Sequence, residues 1–270
     1  MPAAPQDVQP SDARVAMSGP SFITSRDNPL LKELRKLGGD NIGYRKTGRF
    51  WVEGDHLCSA ALHCRLVPAV AVYSESFWAL RPVEYAREAI KNVVVSDTLF
   101  AELSALESSA GVGFVLDLPS DTVFQPSASS VILDRVQDAG NVGSILRSAA
   151  AFGFRQIIAL KGTAALWSPK VLRAGMGAHF GLTLMEGVEP GELSAFQVPL
   201  VVTSSHQGSL IQDLKLPPLC AWAFGHEGQG VCQELMARAG YFARIGQPGG
   251  EESLNVAAAA AICLHASSTH

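Results

Sequence analysis

The chain has 270 residues, 47% hydrophobic and 17% charged. That composition describes a globular protein with ample core and excludes a disordered or fibrous chain. A net charge of −4 is not the overall signature of a nucleic-acid binder, although charge is unevenly placed along the sequence.

Residues 1–20 are rich in Pro, Ala, Ser, Asp and Gln and read as a disordered tail. Residues 21–118 read as a small α/β domain. Asn28-Pro29 followed by Leu30, Leu31, Leu34 and Leu37 has helical spacing, and Gly38-Gly39 ends it. The stretch Gly48 to Gly54 predicts a strand leading into a helix from Asp55 to Cys64. Ala69 to Tyr73, Asn92 to Val95 and Gly111 to Leu116 predict further strands. Glu84 to Ala89 and Asp97 to Leu106 have helical character. Between Arg26 and Arg49 lie seven basic and three acidic residues, a local excess of about +4. Such a run is usually a solvated helix face.

Residues 119–130 are polar, contain two prolines and have linker composition. From Val131 strands and helices alternate. Strands are expected at Val131 to Asp134, Gln156 to Leu160, Pro199 to Ser205, Leu219 to Phe224 and Tyr241 to Ile245. Helices are expected at Asn141 to Phe152, Lys170 to Ala174 and Cys232 to Ala239, and again from Ser253. This alternation argues for a parallel α/β sheet in residues 131–270. The glycine-rich loop Gly246 to Glu252, with Ser253 as an expected N-cap, places backbone N–H groups around a pocket.

The five cysteines (Cys58, Cys64, Cys220, Cys232, Cys263) form no C-x-x-C pair and are odd in number, which fits a reduced cytosolic setting better than disulfides or zinc. No signal-peptide pattern opens the chain, and the longest apolar run, Val256 to Leu264, is too short to span a bilayer. The expected location is the cytoplasm. Gly175-Met-Gly177-Ala-His-Phe-Gly181 has one residue too many for a dinucleotide loop. Ser204, Ser205, His206 and Asp213 lack the Gly-x-Ser-x-Gly elbow of a hydrolase.

Three segments carry the chemistry: Val131 to Gly153 with Asn141 and Arg147, Ala223 to Gly230 with Gly225 and Glu227, and Tyr241 to Cys263 with Ser253-Leu254-Asn255. In this order they resemble motifs 1, 2 and 3 of the SpoU (TrmH-type) RNA 2′-O-ribose methyltransferases of the SPOUT superfamily. Thr24 to Arg35 and the Phe-Trp-Val-Glu53-Gly54 strand start resemble, more loosely, that family's substrate-binding domain.

The resemblance implies an L30e-like RNA-binding domain over residues 21–118 and a SPOUT catalytic domain with a trefoil knot over residues 131–270. It implies S-adenosyl-L-methionine as cofactor, no metal, a homodimer, and RNA as partner, with rRNA favoured and tRNA open. It implies a catalytic set of Asn141, Arg147, Glu227, Ser253 and Asn255. Gly225 is expected to let the cofactor approach the backbone, with Thr203, Ile245 and Leu254 lining its pocket. Arg26, Lys32, Arg35, Arg45, Lys46 and Arg173 become candidate RNA contacts, because Lys and Arg anchor RNA through its phosphates. The chain departs from the family pattern at His226, where Asn is common, and at Gly175, where Ser is common. Two roles stay open for Arg147: gripping phosphate while stabilising the forming 2′-alkoxide, or accepting the hydroxyl proton. A structural salt bridge from Arg147 to Asp134 or Asp138 is the plain alternative. At the level of the whole protein, a non-catalytic RNA-binding protein on the same fold is the alternative.

Overall fold

The protein is described by a computed structural model covering residues 19–106, 108–120, 122–204, 207–249 and 253–268. Most of the expected tail, the end of the glycine-rich loop (250–252), and Ser205 and His206 lie outside the described residues.

The first half folds around a five-stranded mixed sheet. Its elements are β1 (Ser21–Ile23), α1 (Pro29–Gly39), α2 (Tyr44–Thr47), β2 (Arg49–Glu53), α3 (Asp55–His63), β3 (Val70–Ser74), α4 (Glu75–Ala79), α5 (Val83–Glu88), β4 (Asn92–Val95), α6 (Asp97–Leu103) and β5 (Val112–Asp117). The strand order is β1-β4-β3-β5-β2, with β5 antiparallel to both its neighbours. Helix α1 forms where the leucine spacing places it. Asn28 caps it by accepting from Leu30 N, and Leu31, Leu34 and Leu37 are buried.

The second half is a seven-stranded, all-parallel sheet. It holds β6 (Ser130–Asp134), α7 (Ala139–Ala151), β7 (Gln156–Leu160), α8 (Pro169–Gly175), β8 (Thr183–Val188), β9 (Leu200–Thr203), β10 (Ser209–Leu210), β11 (Ala221–Gly225), α9 (Gln233–Ala237), β12 (Tyr241–Arg244) and α10 (Val256–Ser268). The order is β10-β12-β9-β11-β6-β7-β8. Strands β6, β7 and β11 are buried along their whole length, as continuous apolar runs in a parallel sheet should be.

Two expectations shift. Helix α10 begins at Val256 rather than Ser253, and Asn255 caps it, not Ser253: its Oδ1 accepts from Ala257 N at 2.9 Å and Ala258 N at 3.2 Å. Helix α7 begins at Ala139, capped by Asp138, so Asn141 is its third residue. Strand β8 has no counterpart in the sequence reading. It is an edge strand with a half-exposed pattern and a bulge beside Gly187, so it lacks the apolar run that marks the inner strands.

The two sheets share one hydrophobic core. Phe50 of β2 lies 4.6 Å from Trp167, ring centre to ring centre, and 6.5 Å from Phe180. Polar contacts reinforce the join. The Tyr44 hydroxyl donates to the Glu186 carboxylate at 2.7–2.8 Å, and Arg173 donates to the Ala105 carbonyl at 3.0 Å. Ahead of β6, Phe124 packs edge-on against Phe196, and Gln125 N donates to Gln156 Oε1 of the second sheet.

Candidate active site

Strands β12, β9, β11 and β6 are neighbours in the parallel sheet, so the loops leaving their carboxyl ends lie side by side. Ligands of open parallel sheets bind at that edge. All three sequence segments meet there.

The meeting point is a hydrogen-bonded row. Asn255 Nδ2 donates to Asn141 Oδ1 at 2.9 Å, and Asn141 Nδ2 donates to Glu227 Oε1 at 3.1 Å. The direction of the row is fixed at both ends. The Asn255 oxygen is committed to capping α10, so its NH₂ must donate; a carboxylate can only accept, so Asn141 must give it an N–H. Asn141 is itself held by Asp138, whose carboxylate accepts from Asn141 N at 2.7 Å.

Glu227 also accepts from the backbone N–H groups of Gln137 and Asp138, both at 3.4 Å. Burial opposes ionisation of the carboxyl. Backbone N–H donors, including its own, and the Asn141 amide outweigh burial and hold its pKa below the usual carboxylate range. Glu227 is therefore a fixed negative charge that clasps the loop leaving β6.

Glu227 sits on a tight turn. His226 and Gly230 form a two-way backbone bridge, with hydrogen bonds of 3.1 and 2.8 Å. His226 Nδ1 accepts from Gly228 N at 2.9 Å and Gln229 N at 3.2 Å, which places the ring proton on Nε2 in neutral histidine. The nitrogen thus does what an Asn oxygen does in an Asx turn, which accounts for His at a position where Asn is common. The fold itself requires glycine at 225. A Cβ there would lie 2.2 Å from Gly230 C and 2.3 Å from Val231 N, so the chain's own returning backbone occupies that space.

The remaining candidates divide. Thr203 ends β9 and donates to the Ala223 carbonyl of β11 at 3.1 Å. Ile245 follows β12 and packs on the main core, while Leu254 is 39% exposed on the far side of the glycine loop. Ser253 is exposed next to Leu254 and outside the helix. Gln247, which the sequence reading passed over, has a buried Oε1 without a hydrogen-bond partner among the described residues.

Arg147 is exposed on α7 and makes no ion pair among the described residues, so the alternative of a bridge to Asp134 or Asp138 is not formed. On the same helix Ser144 is exposed and Gly143 is buried against α8. A Cβ on Gly143 would lie 2.4 Å from Ala174 Cβ; one on Gly175 would lie 2.5 Å from His179 Cε1. Gly143 lets α7 pack closely on α8, and Gly175 leaves room for the His179 ring.

The candidate RNA contacts are mostly occupied within the chain. Arg26 and Arg35 pair with Glu102, Lys32 with Asp27, and Arg45 with Glu186 and the Tyr44 hydroxyl. Arg173 bonds to the Ala105 carbonyl. Lys46 is exposed and has no such partner among the described residues. The basic run is therefore largely a paired surface rather than a free cationic face.

Among the described residues no group of three or more His, Cys, Asp or Glu is placed to hold a metal ion. No helix among them is long and apolar enough to cross a membrane.

The chain resembles known RNA methyltransferases along most of its length. Over 247 residues it is 29% identical to the 23S rRNA (guanosine(2553)-2′-O)-methyltransferase RlmP of Bacillus subtilis (strain 168), covering 90% of this chain and 97% of that one. Its structure matches an AdoMet-bound rRNA methyltransferase from Sinorhizobium meliloti with a TM-score of 0.79, at 26% identity, over 93% of this chain and 98% of that one. It matches an RNA 2′-O ribose methyltransferase with a TM-score of 0.75, at 28% identity, over 91% and 97% of the two chains. The model of the SpoU rRNA methylase family matches residues 128–265, the parallel sheet and every segment of the site, and the chain belongs to that family.

Proposed function

We propose that this protein transfers a methyl group from S-adenosyl-L-methionine to a ribose 2′-hydroxyl of RNA, with ribosomal RNA the substrate. The observation that carries the reading is the Asn255–Asn141–Glu227 row, which draws three distant segments into one site. Support for the ribose and for rRNA comes from the relatives: one is a 23S rRNA 2′-O-methyltransferase, another an RNA 2′-O ribose methyltransferase.

The residues present fit the cofactor. The residues after β12 offer the apolar side chains of Ile245 and Leu254 and the Gln247 Oε1, which has no partner among the described residues and is an acceptor suited to an amino group. When bound, S-adenosylmethionine supplies an electrophilic methyl on a sulfonium. The chain has to place the ribose in line with it, strip water, and stabilise negative charge growing on the 2′-oxygen. Arg147, whose guanidinium makes no ion pair among the described residues, holds the RNA phosphate and lowers the energy of that charge. Ser253 and Asn255 face the ribose from the start of α10, and Glu227 with Asn141 keeps the β6 and β11 loops at fixed spacing.

Several companions of this reading rest on the same resemblance. The insertion of β12, a late strand, between β9 and β10 supports a trefoil-knotted C-terminal segment. The five-stranded sheet of residues 21–118 serves as an L30e-like RNA-binding domain, with Lys46 its available cation. Helix α10 is apolar on its outer side too, where Ile262 is 42% exposed, and this face supports a homodimer. The cytoplasm is the proposed location.

The test uses labelled S-adenosylmethionine with rRNA and tRNA, wild type beside Arg147→Ala. A ribose 2′-O-methyl blocks alkaline cleavage of the adjacent phosphodiester, so the product nucleotide is read directly. Arg147→Ala should lower transfer by about 100-fold or more with cofactor binding by calorimetry nearly unchanged. Equal loss of binding and transfer overturns the role given to Arg147. Wild-type protein that binds RNA but neither binds nor uses the cofactor is a non-catalytic RNA-binding protein on this fold.

A further inference from the structure

The turn that carries Glu227 is gripped from outside by a dipeptide to which no role has been given. Asp134 is buried at the end of β6, and its carboxylate accepts from Cys232 N, just beyond the turn. Arg135, the next residue, spreads its guanidinium across the gap. Nε and Nη2 donate to Asp134 at 2.8 and 3.3 Å, Nη1 donates to Gln229 Oε1 at 2.9 Å, and Nη2 also reaches the Gly230 carbonyl at 3.4 Å. Segment 229–232 is thus held at three points by residues 134 and 135.

Arg135 holds this pose in a backbone conformation that disfavours it. Its φ is +59°, in the left-handed region that Gly or Asn adopts at lower cost. The pose is pinned by Thr163, whose hydroxyl accepts from Arg135 N at 3.1 Å and donates to the Leu133 carbonyl at 2.9 Å. The aliphatic part of Arg135 packs on Gly162, where an added Cβ would lie 3.2 Å from Arg135 Cγ. An unfavourable φ kept by contacts on every side is a mark of a residue whose side-chain direction matters.

The clasp is reciprocal. Arg135 reaches from the β6 loop to the turn, and Glu227 reaches from the turn back to Gln137 N, Asp138 N and Asn141 of the same loop. We infer that Arg135 is a positioning residue: by fixing Gln229 and Gly230 it holds Glu227 in register with Asn141, and through Asn141 with Asn255. The inference rests on the proposed methyl-transfer site and deepens it. Arg135 itself touches neither cofactor nor ribose in this reading. It acts by removing one freedom of the turn, and small displacements of an aligned site are costly.

The experiment compares wild type, Arg135→Gly and Arg135→Lys as full chains. Glycine relieves the left-handed backbone while removing the fork; lysine keeps the charge without the fork. Two readouts are taken. Hydrogen exchange over residues 226–232 reports the turn without any substrate, and steady-state kinetics separate kcat from KM for S-adenosylmethionine and for RNA. The expected result is faster exchange in that segment for Arg135→Gly, with kcat lowered on the order of 10- to 100-fold and KM for the cofactor within about twofold. Arg135→Lys should fall between. Unchanged exchange overturns the clasp whatever the activity. Faster exchange with unchanged kcat overturns the positioning role. Wild-type protein without methyl transfer overturns the proposed activity instead, and the exchange comparison still decides the clasp.

Discussion

Asn255 Nδ2 lies 2.9 Å from Asn141 Oδ1, joining the first residue before α10 to the first turn of α7 across 114 positions of sequence. Each amide has its other end committed, Asn255 to capping α10 and Asn141 to Glu227. The row therefore transmits one orientation from the last helix to the turn after β11.

That polarity makes Asn141→Asp a sharper probe than a truncation. The new carboxylate would face Glu227 at hydrogen-bond distance and offer it no proton donor, so like charges would push the β6 and β11 loops apart. Transfer should fall by about 100-fold or more, further than in Asn141→Ala, with the fold retained by circular dichroism. Equal loss in the two variants would show that the direction of the row is unimportant.

Asn255→Ala removes a cap as well as a site contact. Loss of the cap costs about 1 kcal/mol, a drop of a few degrees in Tm for a chain of this size. Asn255→Asp restores the cap oxygen without the donor to Asn141. It should recover the Tm and leave activity low, and recovery of both would remove Asn255 from the catalytic set.

His226 offers a substitution that should be harmless to the turn. Asn at this position presents an oxygen to Gly228 N and Gln229 N as His226 Nδ1 does now, whereas Ala presents nothing. His226→Asn should keep kcat within about threefold, and His226→Ala should lower it by about tenfold or more. Melting curves of the two variants distinguish turn loosening from global unfolding.

His179 ties stability to pH. Burial lowers its pKa to about 4, against the opposing hydrogen bond from Nε2–H to the Leu166 carbonyl, and Nδ1 is buried with no partner among the described residues. Protonating Nδ1 would place an unpaired charge against Gly175. Between about pH 6.5 and about pH 4 the unfolded chain binds a proton that the folded chain does not. Stability from this group is complete above pH 6.5 and declines by about 3 kcal/mol as pH falls to 4. Urea titrations across that range should show a shallower decline for His179→Gln than for wild type, from whatever starting stability the variant has.

Gly143→Ala tests the packing beneath the site. Its Cβ would sit 2.4 Å from Ala174 Cβ and 2.8 Å from Gly175 N, and neither neighbour is a flexible side-chain end. Helices α7 and α8 must part, at a cost of about 1–3 kcal/mol. Denaturation with urea measures it, and a neutral outcome would mean α8 moves freely against α7.

The sequence by itself determined the inner strands β6, β7, β9, β11 and β12 of residues 131–270, though not the edge strands β8 and β10, since buried parallel strands are apolar runs that need no partner to be recognised. It also determined α1, through its leucine spacing and Asn28 cap, and the three segments that converge, because their glycines and polar residues stand out against apolar surroundings. Only the tertiary structure decided what those residues touch. Asn255 rather than Ser253 caps α10 and turns its NH₂ to Asn141, a partner 114 residues away that local spacing cannot reveal. Gly225 is required by its own returning backbone, and the basic run from Arg26 to Arg49 is largely neutralised by Glu102, Glu186 and Asp117, acids supplied by other elements. The left-handed backbone of Arg135 and its grip on Gln229 likewise exist only in the folded chain. Local propensity and periodicity are short-range properties of the chain, whereas hydrogen-bond partners and charge neutralisation are set by which elements the fold brings together.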